Sequence, residues 1–288
     1  MNAVKGMRAA PQVFSRLSQL RRDPNVDLKD VTILLARDSK LNARILRVAN
    51  SAVYRQGPAY SSLEQALDSI GFGEIYTIAG IAAMEQMSDQ DLGLYGVTGA
   101  EIRDNSLLTA LIAEALAQSA DTDIHEAYSA GLLRSVGKIA LDGLVHNAPL
   151  PRSSGTPRLG EVHKAVLNAT YDARTDGPLA EWESDIIGLS NCEAAEFILG
   201  EWKYPAEISS AIGCHYAPEK VPEDPALATL LNLAAGGAYR RGFGLPGELS
   251  YWDRRPGKLA IIGLDERQLQ SASDAALERF NALNSAVS

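Results

Sequence analysis

Apolar residues recur at three- and four-residue steps early in the chain: Val31, Leu34, Leu35, Leu41, Ile45, Leu46 and Ala49. That is the period of helices burying one face, and it predicts a helix pair over residues 28–50. Asp27 is placed to cap the first helix, and Asp38 or Ser39 the second, through side-chain oxygens that accept from first-turn amides. Gly57-Pro58 breaks the pattern. Ser61 and Glu64 have the spacing of a capping box, which predicts a helix through Ile70, turned at Gly71-Phe72-Gly73. Residues 74–87 read as a further helix, apolar along most of its length and therefore buried. Gly93, Gly96 and Gly99 mark a loop and the expected boundary between two lobes.

Ile102, Leu107, Leu108, Leu111, Ile112 and Leu116 predict a strong helix over 101–118, with others at 125–133 and 136–145. A Pro/Ser/Gly linker is expected at 149–157. Residues 168–185 are polar and hold Asp176-Gly177-Pro178, which predicts a turn or mobile excursion. Helical signal returns at 192–202, 206–216, 226–240 and 265–283. Alternation of β-branched residues is almost absent, and no internal repeat or low-complexity tract is visible. The expected fold class is all-α.

A chain of 288 residues, 46% hydrophobic and 22% charged, can bury a real core as one large domain or two intimate lobes. No apolar run approaches the ~20 residues that span a bilayer, and residues 1–19 are basic and amphipathic without a signal-peptide core. The two cysteines, Cys192 and Cys214, suit reduced thiols, so a cytoplasmic setting is expected. The net charge of −9 conceals a split. Residues 1–60 hold eleven Lys/Arg against four Asp and no Glu, a balance of +7; the remainder holds 16 basic and 32 acidic residues, or −16. Either the basic segment packs on the acidic body or it attracts an anionic partner, with Arg37, Arg44 and Arg47 as the candidate docking residues.

Several chemistries are disfavoured by spacing. There is no phosphate-binding glycine loop, and Gly71-Phe72-Gly73 and Gly242-Phe243-Gly244 read as turn glycines. Asp89-Gln90-Asp91 begins like a calcium loop, but Gly93 and Leu94 spoil the later ligand positions. The four histidines (125, 146, 163, 215) show no paired metal-ligand spacing, and Cys192 with Cys214-His215 is better read as buried thiols than as a zinc site. Residues 28–50 could pass for a helix-turn-helix with Arg37, Arg44 and Arg47 on or near its second helix, although Leu41, Ile45 and Leu46 make it an ordinary amphipathic pair. Core packing is expected for Trp202, Tyr204, Tyr216 and Tyr239. Trp182 and Trp252 fall in looser segments, where an exposed aromatic could be a contact point.

Four segments together resemble a known family. Leu17 and Leu20 lead into DPNVDLKDVTILLARDSKLNARILRVANSAVY (23–54); SSLEQALDSIGFGEI (61–75) follows; then come EAYSAGLLRSVGKIAL (126–141) and EWKYPAEISSAIGCHY (201–216). In that order they resemble the HDOD family, the HD-related output domains of bacterial signalling proteins. The resemblance spans residues 11 to about 240. It implies a helical HD-like fold, with an N-terminal basic lobe (1–100) packed on a degenerate HD-type helical bundle (101–288) that ends in a C-terminal helical extension.

Working HD enzymes hold divalent metal with histidine and aspartate and use it to lower the pKa of a bound water. At the matching positions this chain has Asn105, Arg134-Ser135, Asn191, a single histidine (His215, beside Tyr216), and Asn232 and Ala235. One imidazole cannot hold a catalytic metal, and Arg134 would repel one. The resemblance therefore implies no metal, no cofactor and no catalysis. It implies an output module that binds a signalling protein such as a sensor kinase, a receiver or a diguanylate-signalling protein. Two alternatives stand beside it. The chain could be a degenerate phosphodiesterase or nucleotide-binding sensor, with Asn105, Arg134, Ser135, Asn191, His215 and Tyr216 as donors around an anion. Or it could be a DNA-binding regulator acting through 28–50. An anion site at Arg134 requires that no neighbouring carboxylate pairs with it and fills the space.

Overall fold

Capping side chains set where most helices begin, and apolar periodicity sets which face each one buries. The computed structural model describes residues 10–21, 27–147, 169–221, 223–252 and 256–287, and thirteen α-helices lie among them. The one extended pairing among these residues is an isolated bridge between Leu92 and Val97, so the architecture is all-α.

The first lobe consists of α1 (Ala10–Arg21), α2 (Leu28–Ala36), α3 (Ser39–Ala49) and α4 (Leu63–Met87). Asp27 caps α2 at the Lys29 amide, and Asp38 caps α3 at the amides of Lys40 and Leu41. α3 buries Leu41, Ile45, Val48 and Ala49 and packs on α4. Asn50 then closes the following loop: its side chain accepts from the Tyr60 amide at 2.7 Å and donates to the carbonyls of Leu46 and Tyr60. The cap of α4 lies one residue later than the Ser61–Glu64 box. Ser62 accepts from the Gln65 amide, and the Gln65 side chain accepts from the Ser61 amide. α4 bends at Gly71, where φ of 83° and ψ of 166° suit a residue without a Cβ.

The second lobe holds α5 (Gly99–Ala117), α6 (Ile124–Leu133), α7 (Val136–Asn147), α8 (Leu179–Ile187), α9 (Asn191–Glu201), α10 (Ala206–Gly213) and α11 (Ala226–Ala238). Two more helices complete it, α12 (Pro256–Ile261) and α13 (Glu266–Val287). α5 starts earlier than expected because Thr98 and Glu101 form a reciprocal capping box. It is the axis of this lobe, with α6, α11 and α13 packed along it, while α7 packs on α9. The glycine-bearing loop between the lobes is pinned: the Leu94 amide donates to Asp142, and its carbonyl accepts from the Tyr171 amide, both at 2.8 Å.

The lobes share one continuous apolar core. The Tyr128 hydroxyl donates to the Thr77 carbonyl at 2.9 Å across their boundary, and Ser15 of α1 donates to the Trp202 carbonyl at 2.7 Å. The turn expected within 168–185 is present at Asp172–Asp176, but the rest of that expectation needs correcting. Its second half is α8, whose inner face carries the fully buried Glu183, so a carboxylate stands where an apolar residue would have revealed the period. The predicted 149–157 linker lies outside the described residues. No described helix is long and apolar enough to cross a membrane.

Candidate functional site

The GLLRSVGK stretch runs from the end of α6 into the start of α7, and its two glycines explain how that junction is placed. A Cβ on Gly131 would lie 2.5 Å from the Ala110 Cα, so α6 crosses α5 at backbone contact. A Cβ on Gly137 would lie 1.8 Å from the Asn191 carbonyl oxygen, so the start of α7 presses on the start of α9. Between these contacts Arg134, and one turn later Lys138, are driven into the interior, each only 1% exposed.

Both cations meet one carboxylate, that of Glu248, itself 0% exposed. Arg134 grips it with two parallel hydrogen bonds, Nη2 to Oε2 at 2.9 Å and Nη1 to Oε1 at 3.1 Å. Lys138 Nζ donates to Oε1 at 2.8 Å, and the Tyr216 hydroxyl donates to the same oxygen at 2.9 Å. A second carboxylate, Glu183, accepts from the Tyr95 hydroxyl at 2.8 Å and from both the amide and side chain of Asn191 at the N-terminus of α9. Arg134, Lys138, Glu183 and Glu248 together carry no net charge. Aromatic faces complete the enclosure, with Trp252 5.5 Å from the Arg134 guanidinium and Tyr216 5.3 Å from the Lys138 ammonium.

The structure gathers all six sequence-predicted cleft residues at or beside this centre, in different roles from those expected. Asn105 accepts from Arg134 at 2.6 Å and does not face an anion. Asn191 serves Glu183. His215 Nδ1 lies 2.6 Å from the Ile212 carbonyl and so carries the proton, leaving Nε2 toward Arg134 at 3.5 Å. Burial, and next the positive charge of Arg134, lower the His215 pKa to about 3, so the ring is neutral. Ser135 Oγ is buried with no hydrogen-bond partner. Only Arg134 and Tyr216 of the predicted set address the carboxylate. In this structure Arg134 is paired with Glu248, which occupies the place expected for an external anion.

Burial alone would raise the Glu248 pKa, but Arg134 and Lys138 overcome that and hold it well below the usual carboxylate range. Burial pushes the Cys192 thiol up, away from thiolate character, although its sulfur lies 3.7 Å from His215 Nδ1. The residues do not fit the metal centre of a working HD enzyme. A guanidinium and an ammonium occupy its middle, Glu248 is committed to both, and among the described residues no three His, Cys, Asp or Glu side chains converge as ligands.

Residues 7–218 match the HDOD domain family. The chain belongs to the HDOD family. Its fold is similar to an HDOD domain protein from Geobacter sulfurreducens, with 21% identity and a TM-score of 0.70 over 94% of this chain and 89% of that one. A protein from Marinobacter aquaeolei VT8, provisionally described as a signal transduction protein, matches at 20% identity and a TM-score of 0.69, over 99% of this chain and 63% of its own. A provisionally described phosphohydrolase from Shewanella amazonensis SB2B matches at 19% identity and a TM-score of 0.62, over 96% and 94%. No curated protein matches significantly.

The HDOD match contains Arg134, Lys138 and Tyr216 but ends before Glu248, so the counter-charge comes from beyond it. Sequence reasoning missed Lys138, Glu183 and Glu248, and it placed Trp252 in a loose segment where the structure buries it against His215 and Tyr216. Lys138 had a visible signal, a lone cation in an apolar helix one turn after Arg134. Glu248 had none. The docking candidates divide: Arg37 is exposed at the end of α2, whereas Arg47 pairs with Glu85 of α4 at 3.1 Å and Arg44 approaches the same carboxylate at 3.9 Å.

Proposed function

We propose that this HDOD protein is a non-catalytic output module of a bacterial signalling pathway, cytoplasmic, acting by binding another signalling protein. The observation that carries this reading is the bidentate pairing of Arg134 with buried Glu248, which puts a neutral ionic cluster where a hydrolytic HD enzyme needs open metal ligands. The partner reads the surface, and the basic stretch of residues 1–60 suits an acidic one, a sensor kinase, receiver or diguanylate-signalling protein.

The test is capture of candidate partners by the wild-type chain and by a variant with Arg37, Arg44 and Arg47 neutralised. Weakened capture with altered salt dependence is expected; unchanged capture removes the docking surface. Elemental analysis showing stoichiometric iron, manganese or zinc, with hydrolysis of a cyclic dinucleotide abolished by chelation, would replace the reading with the enzymatic one.

A further inference from the structure

The carboxylate at the centre belongs to a segment built unlike the rest of the molecule. Glu248 lies between Gly242 (φ 88°) and Trp252, in a stretch with one short 3-10 turn (Leu249–Tyr251) and a second left-handed glycine, Gly247 (φ 75°). The neighbouring residue, Leu249, is 64% exposed while Glu248 is 0% exposed, so the buried carboxylate sits one residue from solvent. Withdrawing it requires rotation of a short glycine-flanked strap, with no α-helix to unwind. The strap is held by the Glu248 hydrogen bonds, by Tyr251, which stacks on Tyr216 at 4.1 Å and accepts from Asn232 at its carbonyl and from the Ala180 amide at its hydroxyl, and by the buried side chains of Leu245 and Trp252.

The pocket around Glu248 also offers more than a carboxylate uses. Its donors come from α6–α7 and the loop after α10, elements independent of the strap: Arg134 Nη1 and Nη2, Lys138 Nζ and the Tyr216 hydroxyl. Three of these four donors converge on the single oxygen Oε1. A two-oxygen carboxylate crowds them onto one atom, whereas a three-oxygen phosphoryl group can take them separately. With Glu248 withdrawn, Arg134 and Lys138 face Glu183 alone, a balance of +1 that an oxyanion restores to neutrality or below.

We infer that Glu248 is an intrachain competitor for a phosphoryl-oxyanion site formed by Arg134, Lys138 and Tyr216, and that such an anion binds when the 244–252 strap swings out. The strap lowers the apparent affinity by the fraction of molecules in which it is open. Glu248→Gln keeps the shape and removes the competing charge. Titration of the full chain with inorganic phosphate, followed by calorimetry, is expected to show binding at least about tenfold tighter in Glu248→Gln than in wild type. Adding Arg134→Met to that variant abolishes it. In the wild-type chain, saturating phosphate raises hydrogen exchange of the backbone amides at 249–252. Three results overturn the inference: no phosphate binding by a folded Glu248→Gln chain, binding that survives Arg134→Met, or acetate binding as tightly as phosphate. If Glu248→Gln does not fold, the wild-type exchange experiment decides alone, and unchanged strap exchange in phosphate rejects the site.

Discussion

Two arginine–carboxylate pairs in this molecule have nearly the same length and opposite meanings. Arg47 meets Glu85 at 3.1 Å on the surface of the first lobe, with its side chain 55% exposed; Arg134 meets Glu248 at 2.9 Å where neither is more than 1% exposed. The first pair exchanges one set of water contacts for another and is screened by salt. The second has surrendered hydration completely, and it persists because Lys138, Tyr216 and Asn105 satisfy the donors and acceptors that the pair itself leaves over, Arg134 Nε apart. Surface charge in this fold is therefore adjustable. Interior charge has to be complete.

The largest expected effect comes from making the interior incomplete. Arg134→Met leaves Glu248 with one cation, and Glu248→Ala leaves two cations with none of their shared anion; each is expected to cost about 3–5 kcal/mol in urea unfolding. A loss no bigger than that of a surface pair would erase the distinction. Next comes the backbone contact that seats Lys138. Gly137→Ala puts a methyl into the Asn191 carbonyl and is expected to cost about 1–3 kcal/mol or more, checked by the same unfolding curves.

Acid sharpens the contrast through His215. Its pKa is about 3 in the folded chain, below the ~6.5 of an unfolded histidine, so its contribution is whole above pH 6.5 and lost as pH falls toward 3. Stability should fall by up to about 1.4 kcal/mol per pH unit in that window from this group alone, and His215→Gln should flatten the decline between pH 6.5 and 4.5. Glu248 adds a further loss in the same direction at lower pH, because its folded pKa is also depressed. An unaltered pH profile in His215→Gln would mean that the ring is charged or exposed. The smallest effect belongs to the surface pair: Arg47→Ala should change stability by no more than about 1 kcal/mol, with any difference fading in high salt.

Much of the fold was legible because helices announce themselves twice, by apolar period and by caps. Asp27 and Asp38 cap as expected, and the bend at Gly71 falls where turn glycines placed it. The serine cap slipped by one because Ser61 and Ser62 offer the same chemistry, and the return bond from Gln65 decides between them. α8 was hidden for a deeper reason. Glu183 reads as a solvent residue, and its burial depends on Asn191 and Tyr95, 8 and 88 residues away in sequence. The centre divides in the same way. Arg134, Asn105, Asn191, His215 and Tyr216 could be named from the family pattern, which places helices relative to one another. Glu248 could not, since a lone glutamate in a loop carries no periodicity and its partners are set only by tertiary structure.

The boundary of the family match and the boundary of electrical neutrality do not coincide in this chain. The match ends at residue 218, yet two interior cations within it depend on a side chain thirty positions further on. A polypeptide trimmed to the matched stretch would carry a buried +1 imbalance between Arg134, Lys138 and Glu183, and should be hard to express unless another acid supplies the missing charge. Any rearrangement of the tail over evolutionary time faces the same restriction. A changed tail keeps the interior balanced only where it returns one negative group to the same depth.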